Sequence, residues 1–205
     1  MAISYLYYTF GEAFHDLKLP LLRSIEKEKI EIIVDMMSKG VNSPETSSLG
    51  RLFDGVAAIV GVRNRVAYEG QAAMELEMAI QQEVEQSYDY AWEKGEDAYH
   101  VFFNPIIHGV VSDMEKGVEV SEISARFHRT LIQLFAELCS FLRKETGLER
   151  VVLSGGVFQN AILLSGLEKA LERDTFQVFT HSLVPTNDGG ISLGQAVAAA
   201  AIAKS

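Results

Sequence analysis

Cysteine is nearly missing from the chain: Cys139 is the only one in 205 residues. One thiol makes no internal disulfide, which excludes a disulfide-stapled scaffold and suits a reducing compartment. Cys139 lies in an apolar helical pattern and reads as a small core residue. Long apolar runs are lacking too. None is long enough to span a bilayer, and the start has no basic segment leading into an apolar one. The expectation is a cytoplasmic protein without membrane association. Basic residues are in deficit: 18 Lys and Arg stand against 28 Asp and Glu, a formal net charge of −10. No Lys/Arg cluster offsets that charge, which repels a phosphate backbone, so nucleic acid is not an expected partner. No repeat and no low-complexity tract occurs.

Apolar residues are plentiful. The chain is 48% hydrophobic and 22% charged, the balance of a globular protein able to bury a core. Its length fits one domain or two small lobes. Residues 1–14 are rich in Tyr and Phe and read as a helix whose aromatics need cover. Leu19 and Pro20 mark a break. Residues 25–37 form an amphipathic helix with a solvated Glu/Lys face. Residues 40–48 are a loop whose Thr46, Ser47 and Ser48 can cap a helix over 49–60. A link over 61–67 leads to a helix from Gln71 to about Glu85. Residues 86–98 are polar and acidic, a surface connection. An edge strand is expected over 100–103 and a short helix over 106–114. The strongest helix covers 120–145, where Ile123, Phe127, Leu131, Leu134, Phe135, Leu138 and Leu142 recur at three and four. Gly147 supplies its stop. His128 on this helix reads as a packing residue, and His108 as a lone structural histidine.

The chain is organised around residues 151–160, V-V-L-S-G-G-V-F-Q-N. Val151, Val152 and Leu153 are a short β-branched, apolar run, the pattern of a buried strand. Ser154, Gly155 and Gly156 then remove side-chain bulk, and residues 157–171 are apolar at helical spacing. The reading is strand, tight glycine turn, helix. Such a turn lets backbone N–H groups approach a ligand, and the helix N-terminus behind it favours an anion. Asn160, one turn into that helix, could donate its amide to a phosphate, a ribose or a base. A plain β–α turn that needs glycine only for its backbone angles fits equally well.

Residues 176–180 read as a second short strand and 181–186 as a loop containing Pro185. Asn187-Asp188-Gly189-Gly190 then opens a last helix over 191–203. That helix is small and apolar on nearly every side, so burial against the sheet is expected. Asp188 beside two glycines suits a metal or a phosphate–metal complex, because hard divalent ions take oxygen ligands. An Asx-type turn cap is the alternative. Upstream, Asp54 sits among Leu52, Phe53, Val56, Ala57 and Ile59, which look like core. Its carboxylate therefore faces a cleft, a partner or water, and Arg51 could pair with it. Gly70, just before a helix, is either another point of close ligand approach or an N-cap. The whole reads as a helix-rich α/β fold.

The stretches V-V-L-S-G-G-V-F-Q-N and V-P-T-N-D-G-G-I-S-L-G-Q-A follow T-S-S-L-G-R-L-F-D and Y-E-G-Q-A-A-M-E-L-E. In this order they closely resemble the C-terminal region of the HypF family, the hydrogenase maturation carbamoyltransferases. The resemblance covers essentially the whole chain. More distantly, the chain is similar to tRNA threonylcarbamoyladenosine synthases and to antibiotic O-carbamoyltransferases. The resemblance implies one lobe of an actin-like ATPase (ASKHA) fold, the superfamily of sugar kinases and Hsp70. It implies that carbamoyl phosphate and ATP form carbamoyl adenylate, and that the carbamoyl group passes to the C-terminal cysteine of a HypE-type acceptor. It further implies that Asp54 and Gly70 contact the nucleoside and that Ser154, Gly155 and Gly156 line the nucleotide. Asn160 would bind the nucleotide, and Asp188 would ligate a divalent metal (Mg, Fe or Zn) that holds the phosphates. No catalytic side chain is assigned. Forming an acyl adenylate needs in-line geometry and charge neutralisation more than a protein base, and the acceptor thiol belongs to the partner.

One departure stands out. The family's metal site also uses two histidines of a His-x-x-x-His motif in a preceding lobe. The five histidines here (His15, His100, His108, His128 and His181) include no such pair. The chain is therefore expected to be a fragment or split subunit with half of the cleft, lacking that lobe. Alone it should bind nucleotide weakly and turn nothing over. Two other readings remain: a threonylcarbamoyl- or O-carbamoyltransferase lobe, and a non-catalytic lobe that docks a partner.

Overall fold

The computed structural model describes residues 1–203. The chain divides into two compact units, Met1–Thr130 and Leu131–Ser205. The first unit begins with α1 (Ala2–Phe10), a 3-10 turn (Gly11–Asp16), α2 (Pro20–Arg23) and α3 (Lys27–Ser38). It continues with α4 (Leu49–Ile59), α5 (Gln71–Met78), β1 (Ala91–Lys94), β2 (Tyr99–Phe102), α6 (Asn104–Glu115) and the first part of α7 (Val120–Thr146). Pro20 starts α2 at a position where its missing N–H costs nothing.

The core of this unit follows from helical spacing. Leu52, Phe53, Val56, Ala57 and Ile59 on α4 are all fully buried. Phe53 meets Phe127 of α7 edge-on at 5.0 Å, and truncating so buried a ring costs about 3–5 kcal/mol. Ser48 caps α4 by accepting the Arg51 N–H. The N-terminal aromatics find partial cover: α1 packs against α3, α4 and α6, Phe14 is buried, and Tyr8 stays 70% exposed. His128 is the packing residue that the pattern suggests, 1% exposed, with Nδ1 2.8 Å from the Ser124 carbonyl. Burial pushes its pKa down to about 4, against a smaller upward pull from that hydrogen bond.

Two expectations for this unit need correction. The helix from Gln71 stops at Met78, short of Glu85, because the polar residues beyond have no apolar stripe to hold against the core. Residues 86–98 are more than a surface connection. They contain β1, which pairs antiparallel with β2 so that Ala91 faces Phe102. They also contain Tyr88, which is buried. Its N–H donates to Thr130 Oγ1 at 2.8 Å and its hydroxyl to Asp113 Oδ2 at 3.0 Å. Arg126 bonds the same Asp113 oxygen at 2.8 Å and also holds Glu122. The buried carboxylate is thus paired, as burial requires. Burial, and then the Asp113 charge, push the Tyr88 phenol well above its ordinary range.

The second unit contains the remainder of α7, β3 (Arg150–Val152), a 3-10 turn (Gly156–Gln159) and α8 (Ala161–Arg173). Then come β4 (Gln177–Phe179), a 3-10 turn (Asp188–Gly190) and α9 (Ile191–Ile202). β3 and β4 pair in parallel with Val151 opposite Val178, and α8 makes the crossover that a parallel pair needs. Leu153, Leu167, Leu171 and Phe176 form the core, with Phe135, Cys139 and Phe158 packed against it. Cys139 is half-buried rather than fully buried, and burial raises its thiol pKa, away from the reactive thiolate. α9 departs most from expectation. None of its residues is buried, and Leu193 and Val197 are 51% and 62% exposed. Its composition specifies a helix with apolar surface to cover but not the element that covers it. No described helix is long and apolar enough to cross a membrane.

Candidate functional site

β3 and β4 are adjacent parallel strands, so the loops leaving their carboxyl ends lie side by side. In open α/β sheets that edge is where ligands bind. Beyond β3, Leu153 continues the ladder by donating its N–H to the Phe179 carbonyl at 2.9 Å. Ser154 is exposed. Gly155 has φ 114° and ψ 158°, a region essentially restricted to glycine.

The loop after β4 is tied to this turn at three points. The Gly155 N–H donates to the Thr186 carbonyl at 3.0 Å. Thr186 Oγ1 donates to the Gly155 carbonyl at 3.0 Å. His181 Nε2 lies 2.8 Å from Ser154 Oγ. A Cβ placed on Gly155 would meet no atom within 4 Å, and one on Gly156 would meet only Asn187 Cβ, at 3.8 Å. The turn is therefore open above the backbone and flanked by the second glycine stretch. Ser154, Gly155 and Gly156 are brought beside the segment carrying Asp188, so the two corners converge. The Gly155 amide is spent inside the protein. The next two amides, of Gly156 and Val157, open the 3-10 turn, where the first N–H groups have no partner within the turn itself.

Asn160 is not one turn inside a helix. It is the N-cap of α8, and its Oδ1 accepts the Leu163 N–H at 2.8 Å. Asparagine is among the favoured N-caps, and the apolar spacing from Val157 onward masked the break. Of its side-chain atoms only Nδ2 is a hydrogen-bond donor. At the second corner the Asx-type turn is realised: Asn187 Oδ1 accepts the Gly189 N–H at 3.1 Å. Asp188 is exposed and begins the 3-10 turn before α9.

The residues present do not fit a resident metal. Among the described residues no group of three or more His, Cys, Asp or Glu could hold an ion, and Asp188 is one exposed carboxylate. A single carboxylate does suit magnesium that arrives with a nucleotide, because that ion is held by one or two carboxylates together with substrate phosphates.

Asp54 and Gly70 lie in the first unit. Asp54 Oδ2 is 3.5 Å from Arg51 Nη1, the pairing left open above, and its charge raises the pKa of Tyr5 after the larger effect of burial. Gly70 is a left-handed N-cap of α5, φ 79°. In the link before it, Arg63 makes a two-point pair with Glu75, at 2.7 and 2.5 Å. A cavity of about 460 Å³ in this unit, beside Asp89, Asn104 and His108, touches neither predicted residue. A smaller one in the second unit, about 270 Å³, runs from Leu153 and Phe158 to His181 and Thr186. His181 and Thr186 carry no signal of their own in the sequence, where 181–186 reads as a loop containing Pro185. The available signal was their place just after the second of two strands that would pair in parallel.

The family model of the carbamoyltransferase Kae1-like domain, second subdomain, of HypF matches residues 1–195. The chain belongs to this family. It is 36% identical over 157 residues to carbamoyltransferase HypF of Synechocystis sp., covering 76% of this chain and 20% of that protein. It is 38% identical over 161 residues to that of Rhizobium leguminosarum bv. viciae, covering 78% and 20%. Among solved structures it is similar to full-length HypF in the phosphate- and nucleotide-bound form, with 41% identity and a TM-score of 0.91. That match covers 100% of this chain and 26% of the HypF chain. HypF of T. kodakarensis is 25% identical with a TM-score of 0.70, covering 94% and 24%. The chain thus spans about a quarter or less of the length of these HypF relatives.

Proposed function

We propose that this chain is the nucleotide-holding part of a HypF-type carbamoyltransferase, on one lobe of an actin-like ATPase fold. The observation that carries this reading is the convergence of the Gly155 and Asn187–Gly190 corners at the carboxyl ends of two parallel strands. That is the edge at which such sheets take ligands. One similar structure is a nucleotide-bound HypF.

In this reading Ser154, Gly155 and Gly156 line the nucleotide, and the Gly156 and Val157 amides donate to it. The Nδ2 side of Asn160 points to a phosphate or ribose oxygen. Asp188 faces magnesium brought in with ATP. Carbamoyl phosphate is hydrolysed to carbamate and phosphate, the carbamate oxygen attacks the α-phosphorus of ATP and expels pyrophosphate to give carbamoyl adenylate, and the C-terminal cysteine thiol of a HypE-type protein then takes the carbamoyl group with loss of its proton and release of AMP. Positioned donors and neutralised charge supply the catalysis, so no side-chain nucleophile is needed. The remaining donors come from a preceding lobe of the longer relatives, which packs on the exposed apolar positions of α9. The protein works in the cytoplasm.

Titration calorimetry with MgATP tests the nucleotide role. Binding is expected in the wild-type chain and is lost in Asp188→Ala. Carbamoyl-phosphate-dependent conversion of ATP to AMP by the 205-residue chain alone contradicts the assignment of half a cleft. For the acceptor, a HypE tail peptide, tRNA and a sugar hydroxyl are supplied in turn to a longer protein containing this region. Transfer to tRNA or to the sugar replaces the reading with its closest rival, an O- or threonylcarbamoyltransferase.

A further inference from the structure

His181 is an exposed histidine with an assigned neighbour and no assigned task. It follows β4 by two residues, yet its Nε2 lies 2.8 Å from the hydroxyl of Ser154, 27 positions earlier and two residues beyond β3. Five residues later the same loop is fastened again, where Thr186 exchanges two hydrogen bonds with Gly155. Between these fastenings Leu183 is 96% exposed, so no packing of that side chain holds the loop down. The loop then enters Asn187–Gly190 directly. Its two ends thus set where the second corner stands relative to the first.

We propose that His181 is a positioning residue for the nucleotide corner. It fixes the rotamer of Ser154 Oγ and latches the near end of the 181–186 loop. The chemistry is specific. A serine hydroxyl has one hydrogen and rotates freely unless a partner selects its direction. With Nε2 occupying one side of Oγ, the rest of its hydrogen-bonding capacity is held in a fixed direction. The ligand that benefits is an oxyanion seated on the Gly155–Gly156 turn. Without the imidazole, Ser154 samples other rotamers and the corner loses one of its three ties. This inference rests on the nucleotide reading above, and it adds a residue that acts through Ser154 rather than by touching the ligand.

A double-mutant cycle read as MgATP affinity of the full 205-residue chain tests it. His181→Ala is expected to weaken binding about five-fold, the scale of one modest hydrogen bond. In a Ser154→Ala background the same change is expected to do nothing further, because the group it positions is gone. His181→Gln, whose amide nitrogen reaches the place of Nε2, is expected to restore most of the affinity. A purely structural role would instead give equal losses in both backgrounds and no rescue by Gln, and that outcome overturns the proposal. Thermal unfolding of each variant supplies the second measurement: a melting point lowered alike by His181→Ala and His181→Gln also overturns it. Wild-type binding that depends on Asp188 but ignores His181 removes this inference alone. Absence of MgATP binding by the wild-type chain removes the nucleotide reading and this inference with it.

Discussion

At the scale of single residues, adjacent glycines do different work. Gly155 adopts φ 114° and ψ 158°, and a side chain there is strained whatever space surrounds it. Gly155→Ala should cost about 1–3 kcal/mol, measured as a lower urea midpoint with an unchanged slope. Gly156 has no positive φ, and a Cβ on it would meet only Asn187 at 3.8 Å. Gly156→Ala should therefore leave the urea midpoint nearly unchanged and weaken MgATP binding, since the added methyl stands over the open turn. His128 supplies the pH dependence. Its pKa falls from 6.5 to about 4 in the folded protein because burial penalises the charged ring. Between those values the unfolded chain binds a proton that the folded one does not. The stabilisation is complete above pH 6.5, declines as the pH falls toward 4, and is exhausted below. The loss should reach up to about 3 kcal/mol. Urea unfolding from pH 7 to pH 4 should show a steeper fall for the wild type than for His128→Gln. Parallel curves would remove His128 as the cause.

At the scale of elements, α8 ties stability to binding through one residue. Asn160 both caps the helix and, as proposed, serves the nucleotide, so Asn160→Ala mixes two effects. Asn160→Asp separates them. Aspartate is an equally good N-cap, but it has no amide hydrogen and repels phosphate. The alanine variant should lose about 1 kcal/mol of stability and its MgATP binding, whereas the aspartate variant should lose the binding alone. Calorimetric melting beside a titration reads both. If Asn160→Asp still binds MgATP as the wild type does, the side chain is only a cap.

The elements also show what the sequence could tell. Helices α4 and α7 are legible because their apolar residues recur at three and four; the α4 stripe is buried, as is that of α7 from Ile123 to Leu134, while Phe135, Leu138 and Leu142 are half-buried. Both parallel strands are legible as short β-branched or aromatic runs, but β3 is not the buried strand that its apolar run suggests: Val152 is 68% exposed. The break before α8 is hidden because Phe158 packs against the same core that Leu167 and Leu171 of α8 enter, so the apolar spacing runs on through a 3-10 turn. The ties between Ser154 and His181, and between Gly155 and Thr186, span 27 and 31 positions. No local pattern records them; strand pairing creates them. α9 shows the opposite failure. A run of alanine, isoleucine and valine marks apolar surface truly, but says nothing of the surface that meets it.

At the scale of the molecule, two apolar surfaces of the second unit stay open. α9 exposes Ile191, Leu193, Val197 and Ile202, and β3 and β4 leave Val152 68% and Phe179 43% exposed. Purely parallel sheets ordinarily have both faces covered. If a preceding lobe of the longer proteins supplies that cover, Leu193→Asp with Val197→Asp should change the stability of the 205-residue chain by no more than about 0.5 kcal/mol, as surface changes do. The same pair placed in a longer HypF-type protein should abolish ATP-to-AMP conversion. Full activity there would show that α9 remains uncovered.

The central claim is that one nucleotide sits on the two glycine corners of the second unit. The most direct measurement is an amide NMR titration of the isotope-labelled chain with MgATP. The account predicts saturable shifts concentrated at Ser154–Val157, Asn160 and Thr186–Gly190. Shifts confined to the first unit, around the cavity by Asp89 and His108, or no shifts at millimolar nucleotide, would contradict it.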